Sequence, residues 1–243
     1  MRPCTAVKRF REILWFPWAI LMCFLGAVVV LPLTFVAPRL TFKVARLWAR
    51  SMLGFAGIRV EVVGKENLVP GPLVVIANHR SLLDIPILFE ALPYDVCFVA
   101  KKELFYIPVF GIAMKLMGHV MVDRGDKAQA KESIRKAAAQ IKGGTTIAVF
   151  PEGTRSNAEA MRPFKKGAFI LSIQSGVPIL PVTLGGSLQV LAPGEWFAHS
   201  GVVRVIVHPA IDVTGYTMET KDELVARTSG MIGSSLTLPA GPR

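Results

Sequence analysis

The stretch PLVVIANHRSLLDIPIL, residues 72–88, decides the fold of this chain of 243 residues. Its first half, PLVVIANH (72–79), is an apolar run that ends at a polar turn, as a buried strand does. Pro86 is tolerated only in the first turn of a helix, so a helix should begin near residues 81–84. A buried strand followed at once by a helix is the unit from which α/β folds are built.

Outside this stretch, strand-like and helical patterns alternate along the chain. Strands are predicted within the segments 58–64, 95–104, 118–125, 145–155, 177–186 and 202–211. Helices are predicted over residues 126–144, 167–176 and 219–236. Such alternation predicts an α/β fold with a mixed, largely parallel sheet flanked by helices.

The N-terminal part of the chain carries a long apolar segment, since residues 13–37 contain no charged side chain. About 20 apolar residues are enough to cross a bilayer. Basic residues flank both ends of the segment: Lys8, Arg9 and Arg11 before it, and Arg39, Lys43 and Arg46 after it. Because basic flanks stay on the cytoplasmic side, a single crossing would leave one cluster on the wrong side. We therefore expect a helical hairpin that enters and leaves by one leaflet, broken at Pro32 and Pro38, rather than a single transmembrane anchor.

Residues 40–57, after the expected break, are predicted to form an amphipathic helix. Its basic residues recur at spacings of three and four: Lys43, Arg46 and Arg50. Such a helix would lie in the headgroup layer of a membrane. The predicted division is a membrane-associating two-helix hairpin over residues 1–57 and a globular domain over residues 58–243. The flanking charge places the hairpin at the cytoplasmic face of the cell inner membrane.

The net charge of +11 indicates a polyanionic partner. With an apolar N-terminal segment present, anionic phospholipid and phosphate esters are favoured. Nucleic acid is disfavoured, because the sequence has no compact Lys/Arg-rich tract and no zinc-finger or RNA-binding signature. The three cysteines and four histidines are scattered without metal-ligand spacing, so the sequence predicts neither a disulfide framework nor a metal site.

Polar side chains follow four of the predicted strands. They are Asn78-His79, Lys101-Lys102, Asp123-Arg124, and Glu152 with Arg155. In open α/β sheets, ligands bind beyond the carboxyl ends of the strands. If the strands run parallel, these groups meet around one pocket that holds a histidine, carboxylates and cations.

His79 and Asp84 are the candidate catalytic pair. His79 lies in the turn before the predicted helix, so Asp84 at the start of that helix can reach back to its ring. A carboxylate on one ring nitrogen fixes the tautomer and leaves the other nitrogen free to take a proton from an alcohol. The alternative is a surface histidine at a turn, beside an aspartate that caps the helix.

The second candidate element is FPEGTRS, residues 150–156, in which a proline and a glycine set a tight turn. Arg155 projects from this turn and can fork onto phosphate oxygens. Arg124 and Lys102 offer further cations after neighbouring strands. Each of these charges also fits a plainer interpretation as a solvated surface group.

Four blocks of sequence, in this order, resemble the motifs of the glycerolipid acyltransferase family, and most closely those of the 1-acylglycerol-3-phosphate acyltransferases. The blocks are NHRSLLD (78–84), KKELFYIPVFG through VDRG (101–125), FPEGTRS (150–156) and VPILPV (177–182). The resemblance covers about residues 58–210, and the coincidence of the first and third motifs makes it specific. It implies that residues 58–243 form an acyltransferase catalytic domain.

The resemblance implies acyl transfer without a covalent acyl-enzyme. His79, oriented by Asp84, would deprotonate the free sn-2 hydroxyl of 1-acylglycerol-3-phosphate. That oxygen would attack the thioester of acyl-CoA or acyl-carrier protein and give phosphatidic acid for phospholipid biosynthesis. The resemblance implies no metal and no cofactor. It makes five residues the binding site for the lysophospholipid acceptor: Lys102, Arg124, Glu152, Gly153 and Arg155. Lys101 is the alternative to Lys102 for the contact with phosphate.

Two other functions are left open by the sequence. The same enzyme class could acylate another lysolipid such as lyso-ornithine lipid, because arginine also binds the carboxylate of an amino-acid headgroup. Alternatively, the basic surface and the hairpin could serve a peripheral protein that binds the anionic phospholipid of one leaflet without catalysis.

Overall fold

The computed structural model describes residues 5–236 except residues 124, 158 and 159, and except the side chains of residues 5–10 and 127. The strands are β1 (Ile58–Val63), β2 (Val74–Ala77), β3 (Val96–Lys101), β4 (Val120–Val122), β5 (Thr146–Val149), β6 (Ile179–Gly185) and β7 (Gly201–Val207). The helices are α1 (Thr5–Val36), α2 (Pro38–Ala56), α3 (Asp84–Ala91), α4 (Phe110–Leu116), α5 (Lys127–Lys142), α6 (Gly167–Ser175), α7 (Ser187–Val190) and α8 (Lys221–Leu236).

The seven strands form one sheet in the order β1-β7-β6-β2-β5-β3-β4. Neighbouring strands run parallel except β6 and β7, which pair antiparallel. The fold is therefore α/β with a mixed, largely parallel sheet flanked by helices, and the fold class predicted from the sequence is confirmed.

The carboxyl ends of β2, β3, β4 and β5 lie at the same edge of the sheet, because these strands pair in parallel. We call this edge the carboxyl edge. His79 follows β2, Lys102 follows β3, Asp123 follows β4, and the loop 150–156 follows β5. The parallel pairing therefore brings the predicted polar groups of these four segments to one edge.

The sheet has an apolar core on each face. One core joins the sheet to α1, α2 and α3, with Trp15, Met52 and Leu88 among its buried residues. The other joins it to α5, α6 and α8, with Phe169 and Leu224 buried. All four residues of β2 are buried, which explains why its sequence is continuously apolar rather than alternating.

Helices α1 and α2 form an antiparallel hairpin. Trp15 donates its indole N–H to the carbonyl of Met52 at 3.3 Å. The chain turns at Ala37, and Pro38 is the first residue of α2. The expected break at Pro32 is wrong, since α1 continues through Pro32 to Val36. A proline so near the end of a helix removes a single backbone hydrogen bond, and helices in apolar surroundings tolerate that loss.

Most of the apolar surface of α1 is left uncovered by the rest of the chain. The segment Arg11–Val36 is long and apolar enough to cross a membrane, with a mean hydropathy of 2.6 and only 17% of its most apolar window buried. Ile13, Ile20 and Phe24 are each more than half exposed. An apolar surface of this extent marks an interaction site.

Helix α2 is bound to the globular part of the chain by small residues and two arginines. The buried face includes Ala45 and Ala49. Arg46 donates to the carbonyl of Tyr94 (2.8 Å) and to the carboxylate of Asp95 (2.9 Å). A second ion pair joins Arg50 to Glu90 at 2.7 Å. These two arginines, expected at the headgroup layer, are thus engaged by the globular part, whereas Lys43 is exposed.

Candidate active site

His79 and Asp84 form a close pair at the carboxyl edge. Nδ1 of His79 lies 2.8 Å from Oδ2 of Asp84. The same oxygen accepts the backbone N–H groups of Arg80 (2.7 Å) and Ser81 (2.8 Å). Because Oδ2 accepts these two bonds, it is an acceptor towards the ring as well, so Nδ1 carries the hydrogen and Nε2 is free to act as a base. The Asp84 side chain is fully buried, whereas that of His79 keeps 16% exposure.

Glu152 joins the turn that carries His79 to the loop that follows β5. Its Oε1 accepts the backbone N–H of His79 at 2.7 Å, and its Oε2 accepts that of Arg162 at 3.0 Å. The carbonyl of His79 in turn accepts the N–H of Ser156 at 3.3 Å. Glu152 is only 3% exposed. Both carboxylate oxygens of Glu152 therefore accept backbone hydrogen bonds, one from each of two segments of the chain.

The turn at Gly153 has a shape that suits glycine. Its φ is +75°, in the left-handed region, and a Cβ there would lie 2.9 Å from Cε and Nζ of Lys165. The N–H of Lys165 also donates to the carbonyl of Pro151 at 2.9 Å. The loop 150–156 is thus closed onto the segment before α6, and this closure fixes its position relative to His79.

An aromatic ring covers one face of the His79 imidazole. The ring of Phe150 stacks on it with centroids 4.1 Å apart and planes 14° apart. Phe98 lies beside Phe150 at 6.1 Å. Sequence reasoning missed Phe150, although it directly precedes the turn already singled out. The stack restricts rotation of the imidazole and so helps keep Nδ1 on Asp84.

Asn78 is a second residue that sequence reasoning placed at the edge without a role. Its side chain is fully buried, donates to the carbonyl of Leu184 (3.0 Å) and accepts the N–H of Leu184 (2.7 Å). These bonds tie the end of β2 to β6, next to His79. The available signal was an amide at the end of an apolar run, where a buried polar group needs a partner.

Cations at the carboxyl edge differ in how they are held. Nζ of Lys102 lies 2.5 Å from Oδ2 of Asp123. Their attraction raises the pKa of Lys102 and lowers the pKa of Asp123 from the usual values. Arg155 is half-buried, and no carboxylate of the described residues pairs with it. Arg124 lies outside the described residues.

Two cavities flank the site, one on each face of the sheet. The first, of about 140 Å³, is bordered by α1, α2, α3, β3 and α4 and is almost wholly apolar. Its lining includes Ala27, Trp48, Phe98, Ala113 and His119. The second, of about 270 Å³, lies between β3, β4, β5 and helices α5 and α6, and Phe150 and Lys165 border it. Phe98 lines the first cavity and Phe150 lines the second, and Phe150 stacks on His79.

His119 is a neutral histidine within the first cavity. Its Nδ1 accepts the backbone N–H of Phe98 at 2.9 Å. The ring lines the apolar cavity, and its burial there lowers the pKa of His119 to about 4. Protonation would break the bond to Phe98, because both ring nitrogens of an imidazolium are donors.

Burial of His119 should make folding stability fall as the pH falls below 6.5, the usual pKa of histidine. In that range the unfolded chain binds a proton that the folded chain does not bind. The free energy of unfolding should therefore be lower by about 2 kcal/mol at pH 5. His119→Asn places an amide oxygen near the position of Nδ1, so it keeps an acceptor for Phe98 and removes the titration. Thermal unfolding in detergent between pH 7 and pH 5 should show a smaller decline for the variant than for the unaltered protein. Equal declines would contradict the prediction.

The chemistry of this edge agrees with comparisons to known proteins. A family model described as Acyltransferase matches residues 59–185, which include the His79–Asp84 pair and the loop 150–156. A protein described as 1-acyl-sn-glycerol-3-phosphate acyltransferase from Pseudomonas aeruginosa is 30% identical over 215 residues, covering 83% of this chain and 82% of its own. The class defined by fold and site is thus that of an acyltransferase.

Other similar proteins extend this agreement. The chloroplastic 1-acyl-sn-glycerol-3-phosphate acyltransferase BAT2 of Brassica napus is 38% identical over 171 residues, covering 69% of this chain; the chain spans about half (49%) of that relative. The crystal structure of the 1-acyl-sn-glycerophosphate (LPA) acyltransferase PlsC from Thermotoga maritima superimposes with a TM-score of 0.81 at 26% identity, covering 94% of this chain and 96% of that one. The chain belongs to the acyltransferase family, and the resemblance drawn from its four motifs is confirmed.

Proposed function

We propose that this protein transfers a fatty acyl group from a thioester to the sn-2 hydroxyl of 1-acylglycerol-3-phosphate at a membrane surface and yields phosphatidic acid. The 2.8 Å contact between His79 and Asp84, at the edge where cations gather, is the observation that carries the proposal. Acyl-CoA and acyl-carrier protein both present the thioester that the reaction needs.

His79 is the general base in this reaction. Its Nε2 takes the proton of the acceptor hydroxyl while Nδ1–H is held by Asp84, which stabilises the imidazolium that forms. The acceptor oxygen attacks the thioester carbonyl and forms the new ester bond. The carbon–sulfur bond then breaks, and the leaving thiolate takes the proton back from His79. Phe150 and Glu152 keep the ring and its backbone in place.

The acceptor phosphate is bound by cations at the carboxyl edge. Arg155 has no ion-pair partner among the described residues, so its guanidinium is available for a bidentate contact. Lys102 gives one hydrogen to Asp123 and keeps two for phosphate oxygens. Arg124 adds a third cation, on the strength of its position next to Asp123 in the sequence. Gly153 shapes the loop that presents Arg155.

The hairpin places this site at the boundary between headgroups and acyl chains. Residues 1–57 attach to one leaflet, on the cytoplasmic side of the inner membrane as the flanking charge indicates, and residues 58–243 carry out catalysis at its surface. The apolar cavity between the hairpin and β3 takes an acyl chain, since its lining is almost wholly apolar and Phe98 connects it to the ring stack on His79.

An acyl-transfer assay with a panel of acceptors tests the proposal. With either thioester donor, lysophosphatidate should be acylated at least about 100-fold faster than monoacylglycerol, because a site built for phosphate leaves its cations unpaired when phosphate is missing. Arg155→Gln should raise KM for lysophosphatidate and leave the slow rate with monoacylglycerol unchanged.

Two outcomes would overturn the proposal in different ways. A higher rate with lyso-ornithine lipid than with lysophosphatidate would show that the acceptor carries a carboxylate rather than a phosphate. If the protein acylates none of these acceptors but still binds anionic vesicles, acylation of these lysolipids is ruled out as its function.

A further inference from the structure

Two large aromatic side chains stand exposed at the tip of the loop between α7 and β7. We call residues 192–197 the aromatic loop. The chain turns there at Gly194, whose φ is +90°, and Glu195 closes the turn by accepting the N–H of Ala192 at 3.0 Å. Trp196 is 59% exposed and Phe197 is 47% exposed. Adjacent aromatic residues at a loop tip indicate a partner surface when they continue a larger apolar area.

The aromatic loop is fastened to the first part of α1. The ring of Trp196 meets that of Phe16 edge to face, with centroids 4.6 Å apart and planes at 87°. One helical turn earlier, Oε1 of Glu12 lies 3.1 Å from Nδ1 of His199. These two contacts hold the aromatic loop beside the exposed stripe of α1 that begins at Ile13.

The aromatic loop lies at the level of the hairpin where the sequence of α1 changes from charged to uncharged residues. The uncharged stretch begins at Ile13, directly after Arg11 and Glu12. The end of α2 lies at the same level, because Gly57 packs against the guanidinium of Arg11. Trp196 contacts Phe16, one turn into the apolar part. If the hairpin enters a leaflet, this level is the layer between headgroups and acyl chains.

We propose that the aromatic loop is a separate membrane contact, with Trp196 and Phe197 seated in the interfacial layer of the leaflet that holds the hairpin. Aromatic rings favour this layer, where an apolar body is buried and a polar edge stays hydrated. Among the described residues, no acceptor bonds the indole N–H of Trp196, so it is available for a lipid carbonyl. This inference rests on the membrane attachment in the proposed function.

The consequence for the enzyme is a fixed orientation. If α1 alone were held in the leaflet, the globular part could still rotate about the long axis of that helix. A second contact at the aromatic loop, which leads into β7 and lies beside α1, removes that freedom. The carboxyl edge then keeps one angle to the leaflet, which holds His79 at a constant distance from acceptors that cannot leave the membrane.

Depth-dependent quenching of tryptophan fluorescence tests the proposal on the full-length protein in vesicles of phosphatidylglycerol and phosphatidylcholine. The phosphatidylcholine is brominated either near the glycerol end or near the methyl end of the chain. Subtracting the signal of Trp196→Phe from that of the unaltered protein isolates Trp196 from the hairpin tryptophans Trp15, Trp18 and Trp48. We expect bromine near the glycerol end of the chain to quench the Trp196 signal about twofold more than bromine near the methyl end does.

A control variant places a partly exposed tryptophan on the face of the sheet that packs against α5, α6 and α8. Met218 is 38% exposed and lies in the chain between Tyr216 and Leu224, which both pack in the core shared with α5 and α6. Met218→Trp is made in the Trp196→Phe background, and subtracting the signal of Trp196→Phe isolates the added tryptophan. Its fluorescence should be quenched by aqueous acrylamide and by neither brominated lipid.

Three results would overturn the proposal, and they are distinguishable. If Trp196 is open to acrylamide and untouched by bromine while the hairpin tryptophans are quenched, the aromatic loop stays in water although the membrane attachment holds. If Trp196 is shielded from acrylamide and also untouched by bromine, a second copy of the chain covers it instead of lipid. If no tryptophan is quenched, the membrane attachment in the proposed function fails as well.

Discussion

Replacement of His79 by alanine should lower turnover with lysophosphatidate by about 10³-fold, the range in which a general base acts. Among the described residues of this site, only His79 combines a free ring nitrogen with a buried carboxylate 2.8 Å from the other ring nitrogen. Alanine leaves the hairpin, the cations and both cavities in place, so binding to anionic vesicles should not change. Initial rates at saturating acceptor, together with vesicle sedimentation, measure the two properties separately.

Asp84→Asn is the informative companion to this variant. The amide of asparagine must turn either its oxygen or its NH₂ group towards the N–H groups of Arg80 and Ser81, which need an acceptor. If the oxygen takes the place of Oδ2, it still accepts from Nδ1 of His79, but the negative charge that stabilises the imidazolium is lost. If the NH₂ group takes that place, it donates towards Nδ1 and favours the wrong tautomer of His79. We expect a large fall in kcat with little change in KM. Unchanged turnover in His79→Ala would contradict the general-base role.

Much of the fold follows from local patterns in the sequence. The helix α5 is predicted within a residue or two because its N-cap Asp126 and the glycines after it mark both ends. The strand β2 is predicted because a strand buried on both faces must be apolar throughout. Pro32 fails as a marker because helix-breaking depends on what surrounds the proline, which a local pattern does not contain.

The candidate site is predictable in composition but only partly in geometry. His79 and Asp84 are five positions apart, so the turn between them brings the pair together locally. By contrast, 73 positions separate Glu152 from the peptide of His79, and 106 separate Asn78 from Leu184. These long-range contacts depend on strand order, which the sequence alone leaves among several possibilities.

Glu152 shows most clearly what the long-range contacts add, and its replacement by glutamine gives the second large effect we expect. The sequence places Glu152 in the acceptor-binding loop, yet both of its oxygens accept backbone N–H groups, one of them from His79. In Glu152→Gln, one of those N–H groups faces an NH₂ group and loses its acceptor. The free energy of unfolding should fall by about 1–3 kcal/mol, the cost of an unsatisfied buried donor. Because the base shifts, kcat should fall at least about tenfold.

The division between kcat and KM decides whether Glu152 positions the base or touches the acceptor. A positioning residue lowers kcat and leaves KM for lysophosphatidate nearly unchanged, because in the proposed function Arg155 and its neighbouring cations, not Glu152, bind the phosphate. Ile232→Val is a matched control: this residue is fully buried against the far face of the sheet, and the change costs about 0.5–1.5 kcal/mol of stability. It should keep full kcat. A raised KM with normal kcat in Glu152→Gln would instead mean that the carboxylate contacts the acceptor directly.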